Sequence, residues 1–189
     1  MLGLRQCKAS AFEATAVSEC RTKYHKGDHS KMQTLFHSPK QTVIEDWIDY
    51  NGHLNMAFYN VLFDRTVDHF YDHIGVGASY VKNGGSLFTL ETHLHYIQEL
   101  AVKDEVSIVL QLLDFDPKRL HFIELMYHSE HGYLAATSEQ LAIHVDMSSR
   151  RSAPMPDTVL ARLGDIRAIH AQVPEPEYVG HRIGIRKSK

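Results

Sequence analysis

The chain has 189 residues, 43% of them hydrophobic, and a formal net charge of −3. That length fits one domain with an extension, and the apolar content is enough for a real core. The charge gives no bulk attraction for nucleic acid or an anionic membrane, and no apolar run approaches the roughly 18 residues of a spanning helix. Only two cysteines occur, Cys7 and Cys20, both near the N-terminus. A disulfide scaffold and a thiol nucleophile in the body of the chain are therefore not expected, and a reducing cytoplasm is. Most of the fourteen histidines, His128 and His170 among them, read as surface groups.

Residues 1–38 carry six cationic side chains against three acids, without the order of a targeting signal. A loose extension is expected, with a short helix near Ser10–Cys20 opened by the capping-box spacing of Ser10 and Glu13. Gln41–Ile48 reads as a strand. Next comes Asp49-Tyr50-Asn51-Gly52-His53-Leu54-Asn55, in which Asp49, Asn51, His53 and Asn55 fall at every second position. Asn55 suits the N-cap of a helix over Met56–Ile74, whose apolar residues recur at spacings of three and four, and Gly75 suits its stop. Gly77–Asn83 fits a second, short helix.

Four long strands follow, over Leu87–Glu99, Glu105–Phe115, Arg119–His128 and Tyr133–Asp146. Their short connections imply antiparallel hairpins. In the first of them Phe88, Leu90, Leu94 and Tyr96 share the face expected to pack on the long helix. Glu91, His93 and His95 share the other. H-x-H on a strand is also a metal-ligand spacing, but no second cluster supports it, and no metal is assigned. Asp157–Gln172 reads as a last helix, with Asp157 as cap and Leu160, Leu163, Ile166 and Ile169 as its stripe. Residues 39–173 thus form the domain, and 174–189 a basic, mobile tail. The class is α+β: a long helix against an antiparallel sheet. One helix cannot cover both faces of such a sheet, so a homodimer or a dimer of dimers is expected.

A carboxylate, an amide and an imidazole in a turn at a helix N-terminus suit acyl transfer. Asp49 can activate water or attack directly. Asn51 and His53 can hold Asp49 or the water, and the backbone N–H of Met56 can stabilise an oxyanion, with Ala57 beside it. The plainer reading is a capping Asp49 in an Asx-turn with a backbone-bonded histidine.

The order of strand, D-x-N-G-H-x-N turn, long helix and antiparallel sheet, over about Ser38 to Asp146, resembles the hotdog-fold acyl-CoA thioesterases of the 4-hydroxybenzoyl-CoA thioesterase family. That resemblance implies a helix wrapped by a curved sheet, paired protomers and Asp49 as the catalytic acid. The related plant acyl-carrier-protein thioesterases carry D-x-N-x-H-x-N-N. Asp49, Asn51, His53 and Asn55 match it, and Met56 departs at the last place. The strings SLFTLETH (86–93), FDPKRLH (115–121) and HVD (144–146) are similar to thioesterases of carnitine breakdown that hydrolyse betainyl-CoA. A trimethylammonium acyl group would then meet Glu91, Trp47, Asn55 or Tyr59. Lys118-Arg119 or Arg150-Arg151 would meet the phosphates of CoA. No cofactor is implied. The competing readings are a hotdog hydratase or dehydratase, whose D-x-N-P-x-H spacing differs from that found here, and an acyl-CoA-binding protein without activity.

Overall fold

The computed structural model describes residues 32–185; the expected helix and capping box at 10–20 lie outside them. The elements are β1 (Phe36–His37), β2 (Gln41–Thr42), a 3-10 turn at Glu45–Trp47, α1 (Met56–Ile74), α2 (Ala78–Lys82), β3 (Gly85–Tyr96), β4 (Glu105–Phe115), β5 (Arg119–His128), β6 (Leu134–Asp146), β7 (Arg151–Ser152) and α3 (Asp157–His170). The sheet is antiparallel and open, in the order β1-β4-β5-β6-β3. β2 also lies along β4, and β7 along the end of β6.

α1 forms where the pattern places it. Tyr59, Leu62, Phe63, Thr66, Val67, Phe70 and Ile74 are its buried stripe, while Asp64, Arg65, Asp68 and Asp72 face outward. The Asn55 side chain accepts the Ala57 N–H at 3.0 Å, satisfying one of the first-turn donors. Gly75 ends the helix at φ +86°, in the left-handed region that a Cβ disfavours. The stripe packs on the inward residues of β4 and β5: Val106, Ile108, Leu110 and Leu112 from one, Leu120, Phe122 and Met126 from the other. One inward residue is an acid. Glu124 is fully buried, accepts from the Gln140 amide at 2.8 Å, and burial raises its carboxyl well above the ordinary range.

Four expectations are corrected. First, Gln41–Ile48 is not one strand. Two residues pair with β4, and the chain then tightens into the 3-10 turn, with Val43 before it and Trp47 within it still buried. Second, β3 carries a bulge between Thr89 and Glu91, where the ladder to β6 shifts by one residue. The extra residue, Leu90, reverses the alternation. Leu87 and Leu94 therefore pack on the interior, while Phe88 and Leu90 are 41% and 56% exposed. Third, α3 is preceded by Pro156 without a side-chain cap, and it buries Val159, Leu163 and His170 rather than Ile169. Fourth, the face of the sheet away from α1 is covered by the chain itself. Val173, Tyr178 and Val179 pack there on Val109, Leu113, Ile123 and Leu125, beside Leu35. Gly180 N–H binds the Glu139 carboxylate at 2.8 Å, and the His181 ring lies 4.7 Å from that of His95. Residues 173–181 are thus a strap across the sheet.

His128 and His170 are buried rather than on the surface. His170 Nδ1 accepts the Leu112 N–H at 2.8 Å, beside a bulge in β4. Burial lowers its pKa from 6.5 to about 4, so the fold requires the neutral ring. Below pH 6.5 the unfolded chain takes up the proton first, and stability is lost as the pH falls from 6.5 towards 4. About 2 kcal/mol of the loss between pH 7.5 and pH 5 belongs to this group. Urea unfolding at the two pH values should show the difference shrinking by that amount in His170→Gln.

Candidate active site

The turn before α1 is a closed loop. Ile48 and Leu54 bridge across its base, the Asp49 N–H donates to His53 C=O at 3.0 Å, and the Gly52 N–H donates to Asp49 C=O at 3.0 Å. Gly52 takes φ +83°, which explains a glycine at this point. Leu54 N–H donates to Leu100 C=O and Asn55 N–H to Trp47 C=O, which tie the loop to the β3–β4 connection and to the 3-10 turn. Within this frame the Asn51 N–H holds Asp49 Oδ1 at 2.7 Å. Asp49 Oδ2 has no hydrogen-bond partner among the described residues.

Asp49 lines a cleft of about 310 Å³ with Leu54, Met56, Tyr59, Tyr96, Ile97, Gln98 and Glu99. The Met56 N–H, at the first helical position, is likewise unpartnered among the described residues. The Ala57 N–H is taken by the Asn55 cap. Asp49, with one free carboxylate oxygen, and Met56, with a free N–H at the helix N-terminus, thus line one cleft, a pairing suited to attack on a carbonyl. Tyr59 and Tyr96 meet edge to face, with centroids 5.3 Å apart, and the Tyr96 hydroxyl donates to Met56 C=O at 3.2 Å. Burial pushes the Tyr59 phenol up to about 12.

The other candidates are placed as follows. The His53 ring lies 3.4 Å from the Glu99 carboxylate; it reaches Asp49 through its backbone, and Asn51 does the same. Trp47 is buried, stacked on Phe58 at 5.5 Å with the Arg65 guanidinium 5.0 Å from its ring, and does not line the cleft. Asn55 is spent as the cap. Glu91 lines a separate cavity of about 500 Å³ on the strap side of the sheet, with His93, His121, Glu139 and Arg119. Among the described residues no three metal-binding side chains are grouped to hold an ion. Arg119 is paired with Asp116, Nη2 to Oδ2 at 2.6 Å. Lys118, Arg150 and Arg151 sit with it near the Gly85 end of β3, since Lys118 C=O accepts from His144 and Arg151 pairs with Asp146. About 25 Å of strand separates them from Asp49 within one protomer. The sequence reading missed Tyr96 and Glu99 as cleft residues. The signal was the return of β3 towards the turn, visible only once Leu54 and Leu100 are known to pair.

A long helix wrapped by an open antiparallel sheet, with an acid turn at the helix N-terminus, defines the hotdog-fold thioesterases. The model of the Thioesterase-like superfamily matches residues 43–163. The betainyl-CoA thioesterase of Pseudomonas aeruginosa is 40% identical over 157 residues, 82% of this chain and 97% of that protein. An L-carnitine dehydrogenase/betainyl-CoA thioesterase of Rhizobium meliloti is 37% identical over 141 residues, 75% of this chain and 28% of that longer one. A Staphylococcus aureus protein solved in complex with CoA superposes with a TM-score of 0.76 at 33% identity, covering 80% of this chain and 96% of the other. The chain belongs to the thioesterase-like superfamily and is an acyl-CoA thioesterase.

Proposed function

We propose that the chain hydrolyses betainyl-CoA to betaine and CoA, with Asp49 as the acid that acts on the thioester. The observation that carries this reading is the cleft lined by both Asp49, with its free carboxylate oxygen, and Met56, with its unpartnered N–H. The likeness to the Pseudomonas aeruginosa enzyme supports the choice of acyl group. An ammonium one methylene away withdraws electrons from the carbonyl, which eases attack on it. As general base, Asp49 takes a proton from the water whose oxygen bonds to the carbonyl carbon, the C–S bond breaks, and the proton passes to the departing thiolate. As nucleophile, Asp49 displaces the thiolate itself, and water then hydrolyses the anhydride. The Met56 N–H meets the oxyanion in between. Thiol release measured with acetyl-, betainyl-, medium-chain and aromatic CoA esters tests the assignment, with betainyl-CoA expected to show the highest kcat/KM. An enoyl-CoA losing its conjugated double bond would instead favour the hydratase reading.

The same proposal includes a homodimer. The β3 edge is unpaired in a single chain, and Phe88, Leu90 and Ile97 are exposed on or beside it. Antiparallel pairing of two copies, centred on Leu90–Glu91, sets the Gly85 end of one strand beside the Tyr96 end of the other. That brings Lys118, Arg119, Arg150 and Arg151 of one copy towards the cleft of its mate, where the CoA phosphates can meet them. Sedimentation is expected to give twice the mass of one chain, and Leu90→Arg to give one. Among the described residues no helix is long and apolar enough to cross a membrane. A CoA substrate and the sparse cysteines support a cytoplasmic enzyme.

A further inference from the structure

The geometry points to Tyr96, backed by Tyr59 and rimmed by Glu99, as the seat of the quaternary-ammonium headgroup and the element that sets acyl specificity in this cleft. The inference rests on the substrate reading above and replaces Glu91 and Trp47, which lie elsewhere. In a betainyl thioester the nitrogen is one methylene from the reacting carbon, so the two atoms are about 2.5 Å apart. Whatever receives the headgroup must therefore line the same cleft as Asp49.

The lining has the required chemistry. A quaternary ammonium has no N–H to donate, so it is recognised by aromatic faces and by negative charge. The cleft offers two tyrosines and two carboxylates, Asp49 and Glu99, and no cationic side chain. Tyr96 is fixed for the task. Its hydroxyl is tied to Met56 C=O, its ring meets Tyr59 at 77°, and the residue stays 45% exposed although it falls on the inward face of β3. That exposure is unusual for an aromatic packed beside a core and leaves ring surface for a ligand. Glu99 stands at the mouth, its side chain 68% exposed, with the His53 imidazole as its neighbour. A volume of about 310 Å³ holds the headgroup and the thioester together.

The test uses a pair of substrates of one shape: betainyl-CoA and its neutral carbon isostere, 3,3-dimethylbutyryl-CoA. For each, kcat/KM of a variant is divided by that of the unaltered protein, which cancels the intrinsic reactivity of the thioester. Tyr96→Leu is expected to lose tenfold or more on betainyl-CoA and less than threefold on the isostere. Glu99→Gln is expected to lose about tenfold on betainyl-CoA alone, and Tyr96→Phe to keep most of the preference. Equal losses on both substrates would mark Tyr96 as merely structural and overturn the inference, as would no loss on either. If the unaltered protein turns over the isostere and not betainyl-CoA, the substrate reading itself fails, an outcome distinct from a preference that survives all three variants.

Discussion

Asp49→Asn should lower kcat by about a thousandfold, within the 10²–10⁴ range typical of a positioned acid–base group. KM should change less than threefold. The variant is close to isosteric. Its side-chain oxygen can still accept the Asn51 N–H, and the closure of the loop through Gly52 and His53 is made by backbone groups alone. A fall in kcat with an unchanged melting temperature therefore reports chemistry and not folding. Turnover that survives Asp49→Ala would remove Asp49 from the mechanism. Two routes start from the same carboxylate. Rapid quenching at enzyme excess, followed by mass spectrometry of the peptide containing Asp49, separates them: an acyl adduct marks direct attack, and a labelled water oxygen found only in free acid marks general base catalysis.

The second large effect is expected from a backbone change. Met56→Pro deletes the N–H assigned to the oxyanion and should cost 10²- to 10³-fold in kcat. Proline is otherwise at home in this place. Met56 is the first residue of α1, where the N–H has no intrahelical partner and the fixed φ of proline matches the helix. The preceding Asn55 has φ −62° and ψ 141°, the extended conformation that a following proline demands. The Tyr96 bond goes to the Met56 carbonyl and is retained. Met56→Ala keeps the donor and should stay within a few fold of the unaltered enzyme. If the two variants behave alike, the oxyanion donor lies elsewhere.

Much of this was readable in the chain. The bounds of α1, β4 and β5 follow from the apolar stripe of the helix and the apolar runs of the strands, because each ends at an abrupt stop: Gly75, Asp116-Pro117, Ser129 to Gly132. Asp49 is read from spacing, since its neighbours set the loop. Three things were not readable, for physical reasons. Trp47 and Tyr59 look alike as aromatic candidates, but only the tertiary fold decides that Phe58 and Arg65 cover one while the other borders the cleft. His170 looks like any polar helix end; its burial depends on a Leu112 N–H beside a bulge 58 residues earlier. From residue 174 on, the strap reads as part of a basic, mobile tail, because Val173, Tyr178 and Val179 are too few and too irregular to show a period. It nevertheless covers a face whose exposure would otherwise have argued for a partner. The case for pairing now rests on the β3 edge alone.

The extra residue in β3 gives that strand one residue of slack. Excising Leu90 would flatten the bulge and leave every other pair to β6 in place, so Leu94 and Tyr96 would keep the inward face and His93 and His95 the strap side. A one-codon insertion in the distal half has no such slack to draw on. It would turn the strand over beyond that point and dismantle a site several residues away while leaving every proposed catalytic side chain in the gene.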